Sequence, residues 1–301
     1  MQDNSGINLL PKDRHLPLFV YGTLKPDELA FSQIEDVVID SQPGNVSGFK
    51  LAVVDGIPYA LPASTQESVL GALLQVKEEA YERVSTYEQV PYLYRWIEVT
   101  VSGRAANMLV SRRTEITLSR HELRDSWSIL DDTFMVDGMP WVGEKLGGIE
   151  AQEEARGRGA QEGYLLVELQ SIFMVLWTIF ERILLFTQGI PRRDHGLKAK
   201  LDLVSLDPKW LDAIEAAGIR ELRVRPHGSP DRRSDRGSDF CFRDWATMRN
   251  NIVHRGKASY REYAALKQAC QDMSKVLMTY LKAASPRLAA KWKLDRATFT
   301  S

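Results

Sequence analysis

The sequence predicts two domains of different class: an N-terminal α+β domain, mainly β and barrel-like, followed by an all-α helical bundle. Three observations predict this. Up to about Arg112 the apolar runs are of strand length and punctuated by Pro and Gly. From about Tyr164 onward, apolar residues fill long stretches at helical spacing. Charge divides in the same place: residues 1–155 hold 13 Lys+Arg against 24 Asp+Glu, a net of −11, whereas residues 156–301 hold 26 against 16, a net of +10. At 301 residues the chain is long enough for two cores. The expected division is an arm at 1–15, a β-rich domain at 16–115, a connecting segment at 116–160 and a helical domain at 161–301.

Within the first domain, Leu16–Tyr21 reads as a short buried strand ending at Tyr21-Gly22-Thr23-Leu24-Lys25-Pro26. Gly22 permits a tight turn there, and successive backbone N–H groups can form an anion-receiving nest. Strands are expected at Val37–Asp40 and Gly48–Asp55, broken at Pro43-Gly44 and at Gly56-Ile57-Pro58, and again at Ser68–Val76. A short helix follows from Lys77 to about Thr86. The last two strands, Tyr92–Val101 and Ala105–Arg112, flank a turn at Ser102-Gly103-Arg104. Glu88, among Tyr87, Val90, Pro91 and Tyr92, is placed to be partly desolvated, which raises a carboxyl pKa toward neutrality.

Phe19-Val20-Tyr21-Gly22-Thr23-Leu24, then Gly71 in a strand, then Tyr87-Glu88 with Tyr94-Arg95-Trp96, resembles the γ-glutamylcyclotransferase-like family over about Leu16–Arg113. The resemblance implies a small barrel-like fold and a loop, Tyr21, Gly22, Thr23 and Leu24, whose backbone holds a γ-glutamyl group. It implies Glu88 as the acid/base for ring closure to 5-oxoproline, with Tyr94 beside the substrate.

In the connecting segment, Ser119-x-x-Glu122 reads as a capping box starting a short helix. Gly138, Pro140, Gly143, Gly147 and Gly148 interrupt the pattern after it, and polar Glu150–Gly163 suits an interdomain connection. The second domain opens with a long apolar helix from Tyr164 to about Gln188. Its most apolar run, Ser171–Phe180, is flanked by Glu168, Glu181 and Arg182 and falls short of the ~20 residues a membrane span needs, so a buried core helix is expected and no membrane partner. Asp207 reads as an N-cap before Pro208, with Gly218 closing that helix. Arg220–Asp239 reads as a loop rich in Arg. From Tyr260 to Ala284, Tyr263, Leu266, Cys270, Met273, Leu277 and Tyr280 form one buried stripe. The tail, Pro286–Ser301, is expected to fray.

Between the Arg-rich loop and the helix from Tyr260 lies Arg249-Asn250-Asn251-Ile252-Val253-His254-Arg255. On a helix Asn250 and His254 share a face, while Arg249 sits ~140° round from His254. His takes and gives protons near neutrality, and Arg stabilises charge growing on a phosphate. That pairing suits cleavage of RNA, whose 2′-hydroxyl is a built-in nucleophile. The segment resembles the signature of the HEPN family of all-helical proteins. By that resemblance Arg249 and His254 take the catalytic positions and Asn250 the polar one, in a metal-independent ribonuclease of toxin or defence type working as a homodimer. Arg232, Arg233 and Arg255 are the expected RNA contacts.

Two cysteines, Cys241 and Cys270, make no disulfide framework and suggest a reducing, cytoplasmic setting. His15, His121, His195 and His227 are scattered without metal-ligand spacing, so no metal or other cofactor is expected. The leading expectation is therefore a ribonuclease with a cyclotransferase-like sensing or restraining domain. The alternatives are a γ-glutamyl cyclotransferase with a helical dimerisation domain, and a scaffold with neither activity.

Overall fold

Alternation of apolar side chains builds the first half of the chain around a closed five-stranded barrel in the computed structural model, which describes residues 9–54, 56–113, 116–118, 121–156, 162–188, 201, 204, 207–219, 237–255 and 263–292. By contacts the chain forms two compact units, one of residues 1–132 with 184–190, the other of residues 133–183 with 191–301. The first is mainly β and the second helical.

In the first unit the strands are β1 (Leu18–Val20), β2 (Val38–Ser47), β3 (Phe49–Val54), β4 (Ile57–Pro62), β5 (Ser68–Val76), β6 (Tyr94–Val101), β7 (Arg104–Ser111) and β8 (Glu122–Arg124), with helix α1 (Glu79–Tyr87) between β5 and β6. The barrel runs β1-β5-β2-β6-β7, and β4-β3-β8 form a second sheet. β1 lies antiparallel to β5 (Phe19 opposite Leu73) and parallel to β7 (Phe19 opposite Met108), and that parallel pair closes the barrel. Leu18 and Val20 share a core cluster with Ala72, Leu74 and Val76 of β5 and with Ala80, Tyr81 and Val84 of α1. By the two-residue period of a strand, Phe19 points the other way. Two glycines make room for its ring. Gly44 of β2 pairs with Gly71 of β5. A Cβ on Gly71 would lie 2.2 Å from the Val20 carbonyl oxygen and 2.7 Å from the Phe19 ring. One on Gly44 would lie 2.6 Å from Val101.

Several expectations are corrected here. β2 continues through Pro43-Gly44, because its pairing with β5 supplies the ladder on both sides of the proline, Gln42 opposite Leu73 and Gly44 opposite Gly71. Ile57-Pro58 opens strand β4 against β3. Glu122 lies in β8, paired with Val53, and not in a helix. The tertiary sheet edge outweighs the local capping pattern.

The second unit contains α2 (Thr133–Arg156), α3 (Glu162–Gln188, whose last residues from Leu184 belong to the first unit), α4 (Pro208–Ala216), α5 (Gly237–Arg255), α6 (Tyr263–Ala284) and α7 (Pro286–Lys291). Residues 116–160 are thus no mere connection: they carry β8 and a 24-residue helix. α2 runs through Gly138, Pro140, Gly143, Gly147 and Gly148 because Met135, Met139, Val142, Leu146 and Ile149, at steps of four and three, are all buried on one stripe. Packing of that stripe outweighs the hydrogen bond Pro140 cannot donate. Gly138 also admits Ile179 of α3, which would sit 3.0 Å from an added Cβ.

Within α3, Tyr164–Thr187 is 24 residues long and contains an 18-residue window of mean hydropathy 1.6, long and apolar enough by length and composition to cross a membrane, unlike the shorter run judged from sequence. In the structure Leu169, Ile172, Phe173, Leu176 and Trp177 of this helix are buried in the helical unit. Trp177, Phe180, Trp210, Phe242, Trp245 and Tyr280 form a chain of ring contacts, tightest between Trp210 and Tyr280 at 3.9 Å. Asp207 caps α4, its Oδ1 accepting from the Lys209 N–H at 2.9 Å. The α6 stripe from Leu266 to Tyr280 is buried as spaced. Part of the tail is ordered by packing: Trp292 is buried and its indole N–H donates to the Met135 carbonyl at 3.2 Å. The remainder of the tail, His195, His227 and the Arg-rich stretch 220–236 with Arg232 and Arg233 lie outside the described residues.

Candidate active site

Where β1 ends, the chain turns through Tyr21-Gly22-Thr23-Leu24, and the C-terminal end of α1 brings Tyr87 and Glu88 to the same place. Glu88 is the C-cap of α1, its N–H donating to the Val84 carbonyl at 2.9 Å. These residues, with Tyr94 of β6 and Leu109 of β7, line a cavity of about 60 Å³. Leu185 and Phe186, from the segment that belongs to this same unit, complete the lining. Of the five residues expected from sequence to make the pocket (Tyr21, Gly22, Thr23, Leu24 and Tyr94), all line it together with Glu88.

The polar groups divide into those already occupied and those available. Tyr21 is occupied: its hydroxyl donates to the Leu109 carbonyl at 3.0 Å and accepts from the Ala60 N–H at 3.4 Å. This phenol holds the loop on the barrel. The Tyr87 hydroxyl has one proton and donates it to the Phe186 carbonyl at 2.7 Å, so Thr23 Oγ1, 3.0 Å away, is the donor to Tyr87. By contrast, among the described residues no partner meets the Glu88 carboxyl, the Tyr94 hydroxyl, or the N–H groups of Gly22, Thr23 and Leu24. A carboxyl, a phenol and a run of loop amides, none with a partner among the described residues, thus belong to residues that line one small space.

Burial sets the protonation. The lining contains no Lys, Arg or His among the described residues, and Glu88 is its one carboxyl. Without a cation to stabilise the carboxylate, burial pushes Glu88 from its ordinary 4.5 up to about 8. The same burial, reinforced by the Glu88 charge, pushes the phenols of Tyr21, Tyr87 and Tyr94 well above their ordinary value. Near neutrality the site holds neutral phenols and a carboxyl that exchanges its proton readily. Tyr94 stacks on Tyr59, with centroids 5.8 Å apart and planes 7° apart, and Arg113 donates to the Tyr59 hydroxyl at 3.2 Å, which fixes that wall.

The second set of residues lies in the helical unit. Arg249 and Asn250 are on α5, where Arg249 Nη1 donates to Asn250 Oδ1 at 3.2 Å. Asn250 is exposed and Arg249 half-buried. His254 and Arg255 fall in the last turn of the same helix, and their side chains lie outside the described residues.

Four contributors to the first cavity were not legible in sequence. Leu185 and Phe186 sit in a stretch that reads only as core helix, and Ile57-Pro58 reads as a strand break. Each arrives by tertiary folding from a distant segment, and no local pattern marks it.

Comparison with known proteins bears on the first unit. Residues 18–127 match the sequence model of the family described as gamma-glutamyl cyclotransferase, AIG2-like, so this domain is cyclotransferase-like. The match stops short of the helical unit. Among solved structures, an uncharacterized protein from Pyrococcus horikoshii is similar at 18% identity and a TM-score of 0.31, covering 39% of this chain and 92% of its own. A protein of Arabidopsis thaliana, solved in solution, is similar at 14% identity and a TM-score of 0.30, covering 50% of this chain and 97% of its own. Among curated proteins none matches.

Proposed function

We propose that the first domain is a γ-glutamyl cyclotransferase acting on a γ-glutamyl amine. The observation that carries this is Glu88: an unpartnered carboxyl with a pKa of about 8, in an apolar cavity under the Tyr21–Leu24 loop. The amides of Gly22, Thr23 and Leu24 hold the γ-glutamyl group. Glu88, as carboxylate, takes a proton from the substrate's α-amino nitrogen while that nitrogen attacks the γ-carbonyl carbon. The new C–N bond closes the five-membered ring of 5-oxoproline. The old amide C–N bond breaks, and Glu88 returns the proton to the leaving amine. A pKa near working pH suits a group that must both take and give the proton. The test is release of 5-oxoproline from γ-glutamyl amines. Glu88→Gln should lower it by about 10²–10⁴-fold, and equal rates in variant and wild type would remove Glu88 from the mechanism.

A second reading concerns the helical unit. It rests on α5, which sets Arg249 and Asn250 side by side with His254 one turn beyond Asn250. In this reading two chains pair so that two Arg and two His surround one RNA phosphate. One His254 draws the proton from the 2′-hydroxyl as its oxygen bonds to phosphorus, Arg249 stabilises the charge on the phosphorane, and the partner's His254 gives a proton to the 5′-oxygen as the P–O5′ bond breaks, leaving a 2′,3′-cyclic phosphate and a 5′-hydroxyl. Arg232, Arg233 and Arg255 contact the RNA backbone. The test is degradation of total RNA that is lost in His254→Ala and retained in Glu88→Gln. Degradation unaffected by His254→Ala removes this reading.

A further inference from the structure

The residues matching the family end at 127, yet the cavity at Glu88 is completed by Leu185 and Phe186, which lie nearly 60 positions later. We propose that Phe186, with Leu185, is the specificity-determining wall of this cavity and confines its substrates to γ-glutamyl amides of short, slender amines. The proposal rests on the cyclotransferase reading above.

Four observations carry it. First, the space beside Glu88 is small, about 60 Å³. A γ-glutamyl group bound there leaves its amine against the lining, and an aromatic or long-chain amine meets the wall. Second, the wall is fixed on the cavity side. Tyr87, adjacent in sequence to Glu88, donates its hydroxyl proton to the Phe186 carbonyl at 2.7 Å and accepts from Thr23 of the loop at 3.0 Å. One hydrogen-bonded chain thus links loop, helix end and wall. Third, the wall is fixed behind as well. Gln33 donates to the Thr187 carbonyl at 2.9 Å, and the Phe186 ring packs on Trp127 with centroids 5.8 Å apart. Trp127 is itself held by its indole N–H on the Gly56 carbonyl at 2.9 Å. Fourth, Phe186 is 1% exposed, so its ring belongs to the packed body of the unit and not to a mobile surface. A rigid apolar wall discriminates by size: each methylene it excludes is worth roughly tenfold or more in kcat/KM.

The experiment uses the full chain and γ-glutamyl amides of methylamine, propylamine, butylamine and benzylamine, reading kcat/KM for 5-oxoproline release. Wild type should favour the methylamide and fall by at least about tenfold toward the benzylamide. Phe186→Ala should flatten that profile, raising the benzylamide relative to the methylamide by about tenfold or more. Phe186→Leu, which keeps an apolar side chain against Trp127 and the backbone carbonyl that Tyr87 uses, should fall between and serves where the alanine variant is poorly folded. A wild-type profile that is already flat, or a steep one unchanged in both variants, overturns the wall while leaving the reaction assigned. No 5-oxoproline from any member, with no binding by calorimetry, overturns the cyclotransferase reading and the wall with it.

Discussion

Glu88 should make the first unit lose stability as pH rises through neutrality, in contrast to the usual carboxylate. Its carboxyl ionises near 4.5 in an unfolded chain and near 8 in the folded one. Between those values the unfolded state has released the proton and the native state retains it. The unfolded state therefore binds fewer protons, and stability falls with rising pH by about 1.4 kcal/mol per unit. Below 4.5 both states are protonated and above 8 both are ionised, so the slope vanishes outside the window. Across the window the loss reaches at most roughly 5 kcal/mol. Tyr21, Tyr87 and Tyr94, the phenols nearest this charge, stay neutral through the window and do not offset it. Glu88→Gln removes the ionisation while keeping the shape. Calorimetric unfolding of wild type and variant at pH 5, 7 and 9 is the assay. The midpoints should nearly coincide at pH 5, with the variant increasingly the more stable at pH 7 and 9. Midpoints that run parallel over the whole range, or that separate at low pH and meet at high pH, would refute the burial argument.

Gly71→Ala should destabilise the barrel by about 1–3 kcal/mol or more, because its methyl group meets the Val20 carbonyl oxygen at 2.2 Å. A lowered calorimetric midpoint checks this, and the transition that moves identifies the barrel for the pH series. Trp210→Ala should cost the helical unit about 3–5 kcal/mol, since Trp210 is fully buried and stacked at 3.9 Å on Tyr280, read by urea unfolding. If the second reading holds, RNA cleavage should persist in EDTA, because the His–Arg mechanism uses the 2′-hydroxyl as its nucleophile. Activity should also fall faster than the wild-type fraction when Arg249→Ala/His254→Ala chains are mixed in. Loss in EDTA with recovery on adding a divalent ion, or a linear fall on mixing, would count against it.

Local pattern carried much of this molecule. Ser68–Val76 is a strand at its expected limits, because alternation and a following helix leave no competing register. The cap at Asp207 and the stripe of α6 follow from side chains acting within one or two turns of their own backbone. The loop Tyr21–Leu24 and Glu88 were legible as a pair through their resemblance to a known domain, and Glu88's apolar neighbours in sequence already pointed to a raised pKa. Tertiary structure decided the rest. Pro43-Gly44 and Pro140 read as breaks because local rules price a missing N–H, whereas the partner strand and the buried stripe that outweigh it come from elsewhere in the chain. Gly44 and Gly71, 27 positions apart, acquire their meaning only when β2 pairs with β5 and the Phe19 ring must fit between them. The far wall of the cavity is the extreme case. Phe186 lies in an apolar helix whose composition states only that it is buried, and burial does not say against what. Closure of the barrel unit brings its carbonyl to Tyr87 and its ring to Trp127, contacts spanning 99 positions and about 60, and no local signal in the sequence records them.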